Sequence, residues 1–146
     1  MFYIVTVNVL LVTAVVLIHY EFLSRITVWL PKAGIKHRYR VLVGVGGALV
    51  AHAVEVWLFG AAYYVMVNRL GWGEFNATFS GNYNGTLMDC VYFSFTVYTT
   101  LGFGDIQPLG DVRYLTGIEA LTGLVLITWT ASFLYLEMQR YWRRPG

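Results

Sequence analysis

Six consecutive residues carry the most chemistry in this chain: Thr100, Leu101, Gly102, Phe103, Gly104 and Asp105. None is a nucleophile with a partner base, and the run suits ion binding rather than catalysis. A dehydrated alkali cation needs oxygens in place of its water shell, and rings of backbone carbonyls with a threonine hydroxyl beneath them supply such oxygens. In an ordinary strand successive carbonyls alternate in direction, so aligning them requires the backbone to alternate in hand. Gly102 and Gly104 can take positive φ cheaply, whereas other residues resist it. Leu101 and Phe103 are then expected to point away from the ion path and pack as a cuff. Thr100 offers its hydroxyl at the inner end, and Asp105 stands at the outer mouth as a cation-attracting carboxylate and a brace.

Elements able to position this run follow from the surrounding pattern. Thr86 reads as a helix N-cap with Asp89 three residues on, a variant of the capping box, and the segment 86–99 reads as a helix. The thirteen residues after the cap, 87–99, at about 1.5 Å each give roughly 20 Å, too short to cross a bilayer. A half-crossing helix that ends at a glycine-rich strand directs its negative dipole end toward the strand's inner mouth, where a cation is favoured.

The whole chain is written for lipid. Of its 146 residues 58% are hydrophobic and 12% charged, against about 25% charged in soluble domains. The net charge of +2 gives no reason to expect a nucleic-acid partner. One cysteine, Cys90, excludes an intrachain disulfide. Residues 1–23 form a first apolar span. With no basic segment ahead and no small-residue cleavage site behind, they read as a transmembrane helix rather than a signal peptide. The linker 24–40 holds Arg25, Lys32, Lys36, His37, Arg38 and Arg40, broken by Pro31 and Gly34. With Ile26, Val28, Trp29 and Leu30 it reads as an interfacial segment on the cytoplasmic side. Residues 41–67 form a second span, in which Gly44, Gly46 and Gly47 could admit the first helix closely. The Gly- and Asn-rich stretch 68–85 is an external loop. Its sequons at Asn76 and Asn84 are consistent with chance in an Asn-rich loop. Residues 112–138 form the last span, followed by Arg140, Arg143 and Arg144 with Tyr141 and Trp142 as interfacial anchors. Basic linker and basic tail on one side predict an external N-terminus and a cytoplasmic C-terminus. No arginine recurs every third residue, so no voltage-sensing helix is expected.

The run 100–105, with the preceding helix and the flanking spans, closely resembles the selectivity filter of the potassium-channel superfamily. The resemblance is strong over about residues 92–132 and extends in architecture to a two-helix pore module at 41–146. It implies an all-α membrane protein: three transmembrane helices plus a re-entrant pore helix and selectivity filter, in a tetrameric pore. It further implies K+ ions held by the carbonyls of Thr100, Leu101, Gly102, Phe103 and Gly104 and by the Thr100 hydroxyl. The unit would be a homotetramer among membrane lipids of a plasma membrane, performing passive transport with no enzymatic chemistry and no evident soluble partner. Tyr92 and Phe93 match pore-helix positions that carry aromatic cuff residues. Gly123 matches an inner-helix glycine proposed as a gating hinge; close helix packing is the alternative. Phe103 replaces the commoner tyrosine, and Thr96 stands where some members have a glutamate that pairs with the filter aspartate. Both departures leave room for a weakly selective cation channel, and a non-conducting modulatory subunit is a further alternative.

Charged groups inside a bilayer cost about 3 kcal/mol or more and usually face protein or water. His52 and Glu55 lie three apart on one helix face and could pair; a single structural hydrogen bond with Glu55 protonated is the favoured alternative. Glu119 is expected to support the filter by hydrogen-bonding Thr96 or Thr99, or a water leading to Asp105, and to make conduction sensitive to its protonation.

Overall fold

A computed structural model describes residues 2–78 and 81–142. The elements run α1 (Phe2–Trp29), α2 (His37–Asn68), β1 (Gly73–Ala77), α3 (Leu87–Tyr98), β2 (Ile106–Gly110) and α4 (Val112–Trp142). Among the described residues three helices are long and apolar enough to cross a membrane: Phe2–Trp29, Tyr39–Asn68 and Val112–Gln139. The twelve-residue α3 is the short helix between them.

The first helix continues to Trp29 instead of ending near Leu23. Nothing breaks it before Pro31, Thr27 Oγ1 bonds back to the Leu23 carbonyl at 3.0 Å, and Arg25 pairs with Glu21 one turn earlier at 3.1 Å. The expected interfacial segment 26–30 is therefore mostly helix, with Leu30 buried at its end. The second helix starts at His37 rather than 41, so most of the expected basic linker is helical and only a short turn separates the two. Of the glycines expected to meet α1, Gly47 does so, with Ile26 Cδ1 only 2.5 Å from where a Cβ would lie. Gly44 faces Leu134 instead, and Gly46 faces nothing within 4 Å. Arg143 and Arg144, and the side chains of His37, Arg38, Arg140, Tyr141 and Trp142, lie outside the described residues.

The capping box at the start of α3 forms as expected. Thr86 Oγ1 accepts from the Asp89 amide at 3.1 Å, and Asp89 Oδ2 accepts from the Thr86 amide at 3.1 Å. α3 is wedged between α2 and α4. Gly60 on α2 has no side chain to hold off Val91, whose Cγ2 would lie 2.7 Å from a Cβ there.

The stretch expected to be an external loop is not plain loop. β1 and β2 pair antiparallel with Phe75 opposite Pro108 and Ala77 opposite Ile106. This ribbon adds strand to an otherwise helical protein, and a proline is tolerated because both strands are edges. Phe75 anchors it. Its ring lies 4.6 Å from Phe93, 5.5 Å from Tyr63 and 5.4 Å from Tyr83, centroid to centroid. Tyr63 and Phe93 belong to the core with Phe59, Val56, Tyr98, Leu115 and Leu126.

Candidate functional site

Residues 99–105 leave the end of α3 and run back toward β2. Thr99 caps the helix, its amide reaching the Phe95 carbonyl at 3.2 Å, and the Thr100 amide reaches the Val97 carbonyl at 2.9 Å. The chain then alternates in hand. φ is +58° at Thr100, +53° at Gly102 and +75° at Gly104, while Leu101 and Phe103 stay outside the positive region. The alternation expected from the two glycines thus begins one step earlier, at a threonine, where an L-residue in this region costs roughly 1–2 kcal/mol. Two hydrogen bonds to α3, one from the Thr100 amide and one from the Gly102 amide to the Thr96 carbonyl at 3.0 Å, hold that turn.

The supports expected behind the run are rearranged. Thr96 acts through its carbonyl; its hydroxyl bonds to the Phe93 carbonyl at 2.8 Å. The Thr99 hydroxyl bonds to the Phe95 carbonyl at 2.7 Å. Neither hydroxyl meets Glu119, which corrects the expected contact. Glu119 Oε2 instead accepts from Tyr63 Oη at 2.6 Å, and Oε1 lies against the Ser94 hydroxyl, which also donates to the Val56 carbonyl at 2.9 Å. Glu119 therefore ties α4 to α2 and to the middle of α3, and among the described residues no hydrogen bond joins it to 100–105. α3 carries hydroxyls at both Ser94 and Thr96, and only the rotation of α3 about its axis selects Ser94 over Thr96.

Tyr92 and Phe93 separate. Tyr92 Oη donates to Asp105 Oδ2 at 2.8 Å, bracing the aspartate from one turn before Thr96. Phe93 turns away, into the aromatic core with Tyr63 and Phe75, and is not part of a cuff. Leu101 and Phe103 remain 59% and 63% exposed, so the cuff expected of them does not form within the single chain.

Thr78 is a support that sequence reasoning missed. Its hydroxyl donates to the Gly104 carbonyl, and its amide to the Asp105 carbonyl at 2.8 Å. It reaches them because the β1–β2 register carries the end of β1 back over the run. No local signal marks Thr78, which reads in sequence only as part of a sequon. Gly123, the candidate hinge, lies against the backbone of Tyr98, where any Cβ would overlap the Tyr98 carbonyl. The structure thus gives this glycine the close-packing role.

Three helices long and apolar enough to cross a membrane, a half-length helix and a segment of alternating hand after it suit an ion-channel protein. The sequence profile described as "Ion channel" matches residues 51–139, more than half of the 146-residue chain, and the chain belongs to that family. It is an integral membrane channel protein of the potassium-channel superfamily type, not an enzyme. Among curated proteins, the potassium channel protein kcv of Paramecium bursaria Chlorella virus 1 is 38% identical over 56 residues. That match covers 36% of this chain and 60% of the relative's length. No solved structure matches the chain.

Proposed function

We propose that this chain is the pore-forming subunit of a potassium-selective channel. It would work as a homotetramer, with Thr100, Leu101, Gly102, Phe103 and Gly104 lining the ion path and Asp105 at the outer mouth. The observation that carries this reading is the alternation of positive and negative φ across 100–104. That backbone turns successive carbonyls toward one side, where they replace a cation's water shell. One strand offers one quadrant of each ring, so closure about an axis needs four copies. The exposure of Leu101 and Phe103 supports the same assembly, since a neighbouring subunit would cover them. The similarity to a potassium channel protein adds to the case for potassium.

The test is purified protein in pure lipid under opposed potassium and sodium gradients. The expected reversal potential lies close to the potassium equilibrium value, with block by barium. Equal permeability to the two ions would establish the weakly selective alternative. Absence of any current would favour the modulatory subunit.

The proposed orientation in a plasma membrane rests on the basic turn between α1 and α2, which places the N-terminus outside and the C-terminus in the cytoplasm. Gly81 is unsuitable for a reporter, because a Cβ there would lie 2.5 Å from the Asp105 carbonyl oxygen. Asn82 and Lys32 are both exposed, and native Cys90 is buried. Cysteine at Asn82 is expected to react with an impermeant thiol reagent added outside, and cysteine at Lys32 only with reagent added inside. The opposite pattern would reverse the pore.

A further inference from the structure

Glu55 is the centre of a buried polar cluster that the conduction path does not use. His19 Nδ1 lies 2.8 Å from Glu55 Oε1, and His52 Nδ1 lies 3.2 Å from Glu55 Oε2. His52 and Glu55 are therefore in hydrogen-bond contact, and α1 adds a second imidazole to them. Tyr98 Oη sits 2.8 Å from His52 Nδ1 and also against Glu55 Oε2. Behind the rings, Thr130 Oγ1 of α4 lies 2.9 Å from His52 Nε2 and 3.3 Å from His19 Nε2.

From this geometry we propose that His19, His52 and Glu55 form a divalent transition-metal site, suited to Zn2+, that ties α1 to α2 beside the end of the pore helix. Two imidazoles and one carboxylate are a common zinc donor set, and Tyr98 Oη or a water can complete four-coordination. Donors at about 2.0–2.1 Å from a tetrahedral ion stand roughly 3.3 Å apart. The ligand atoms here lie within 4.8 Å of one another, and the two His–Glu distances are already at or below the spacing a bound ion needs. Both Nδ1 atoms face the carboxylate and both Nε2 atoms face one hydroxyl. Thr130 Oγ1 has two lone pairs and can accept N–H from both rings. That fixes the tautomer leaving each Nδ1 free to coordinate, the role of the outer partner in metal–histidine sites.

In the metal-free protein the same space holds shared protons. On loading, a proton on His19 Nδ1 would shift to Nε2, whose N–H then donates to Thr130 Oγ1. Loss of the Tyr98 proton to solvent would leave the phenolate and Glu55 to neutralise the dication. His52 is the ligand that reaches the surface, its side chain 16% exposed, while His19 and Glu55 are fully buried. Entry is therefore by way of His52. An ion held here would fix Tyr98, the residue that ends α3 two positions before the strained Thr100.

Cobalt(II) titrated into untagged full-length protein in nanodiscs tests the site without reference to conduction. The expected result is the visible d–d absorption of four-coordinate cobalt, one ion per chain, bleached by added Zn2+. His19→Gln and His52→Gln should each weaken binding at least tenfold, and Thr130→Val should weaken it by about 10-fold or more, as outer-shell changes do. Wild-type protein that shows no such absorption overturns the proposal, whether or not the variants fold. Unchanged affinity in both histidine variants overturns it equally.

Discussion

Gly104→Ala protein is expected to lose potassium flux by tenfold or more while still inserting and folding. The reason lies in the backbone. Gly104 sits at φ +75°, and a Cβ added there would meet nothing within 4 Å in its own subunit, so the substitution adds strain and no internal clash. An L-residue in that region costs roughly 1–2 kcal/mol, and about 1.4 kcal/mol already shifts a conformational equilibrium tenfold. In the proposed tetramer four strands must hold the conformation together, and their costs multiply in effect. Relaxation of φ would turn the Gly104 carbonyl and release the Thr78 hydroxyl that braces it. Gly34 provides the control. It has φ +65° and equally open surroundings but lies in the turn between α1 and α2, so Gly34→Ala should carry the same local strain and conduct like wild type. The measurement is potassium flux into liposomes at matched protein density. Wild-type flux through Gly104→Ala would dismiss residues 100–104 as the ion path.

Gly123→Ala is expected to fail in a different way, by loss of stability. A Cβ at Gly123 would overlap the carbonyl of Tyr98, and Tyr98 cannot retreat. Its side chain is 1% exposed and its hydroxyl is held by Glu55 and His52. Forcing one extra carbon into such a contact costs typically about 1–3 kcal/mol. Thermal unfolding in detergent should therefore begin several degrees below wild type. Gly117 on the same helix has nothing within 4 Å of a Cβ. Gly117→Ala should leave stability unchanged or raise it by about 0.5–1 kcal/mol, because alanine is the better helix residue. A glycine that served only as a hinge would behave otherwise: Gly123→Ala would melt like wild type and change open probability alone. That outcome would remove the packing role assigned here.

These two glycines show where sequence is informative. The Gly102 and Gly104 conformations were legible because they depend on local chain geometry, which residue type controls directly. The same holds for the capping box of Thr86 and Asp89, for the three long apolar helices, and for the His52–Glu55 pair on adjacent turns. Each is a relation over a few residues, and helical or strand periodicity encodes it. The end of α1 is local too: apolar residues between Ile26 and Trp29 suit an interface and a helix equally, and the continuing hydrogen-bond ladder decides for the helix.

Only the tertiary structure decided what meets across elements. His19 joins Glu55 over a separation of 36 residues, Tyr63 meets Glu119 over 56 and Ser94 meets it over 25. Periodicity states which residues share a face, but not how far each helix is rotated against its neighbours. That rotation gave Glu119 to Ser94 in place of Thr96, sent Phe93 into the core and brought Gly123 onto the Tyr98 carbonyl. Strand pairing is undetermined in the same sense. Residues 73–77 and 106–110 are short, and nothing local in either names the other. Their register follows from Phe75 finding the aromatic core, and it is that register which sets Thr78 over Gly104.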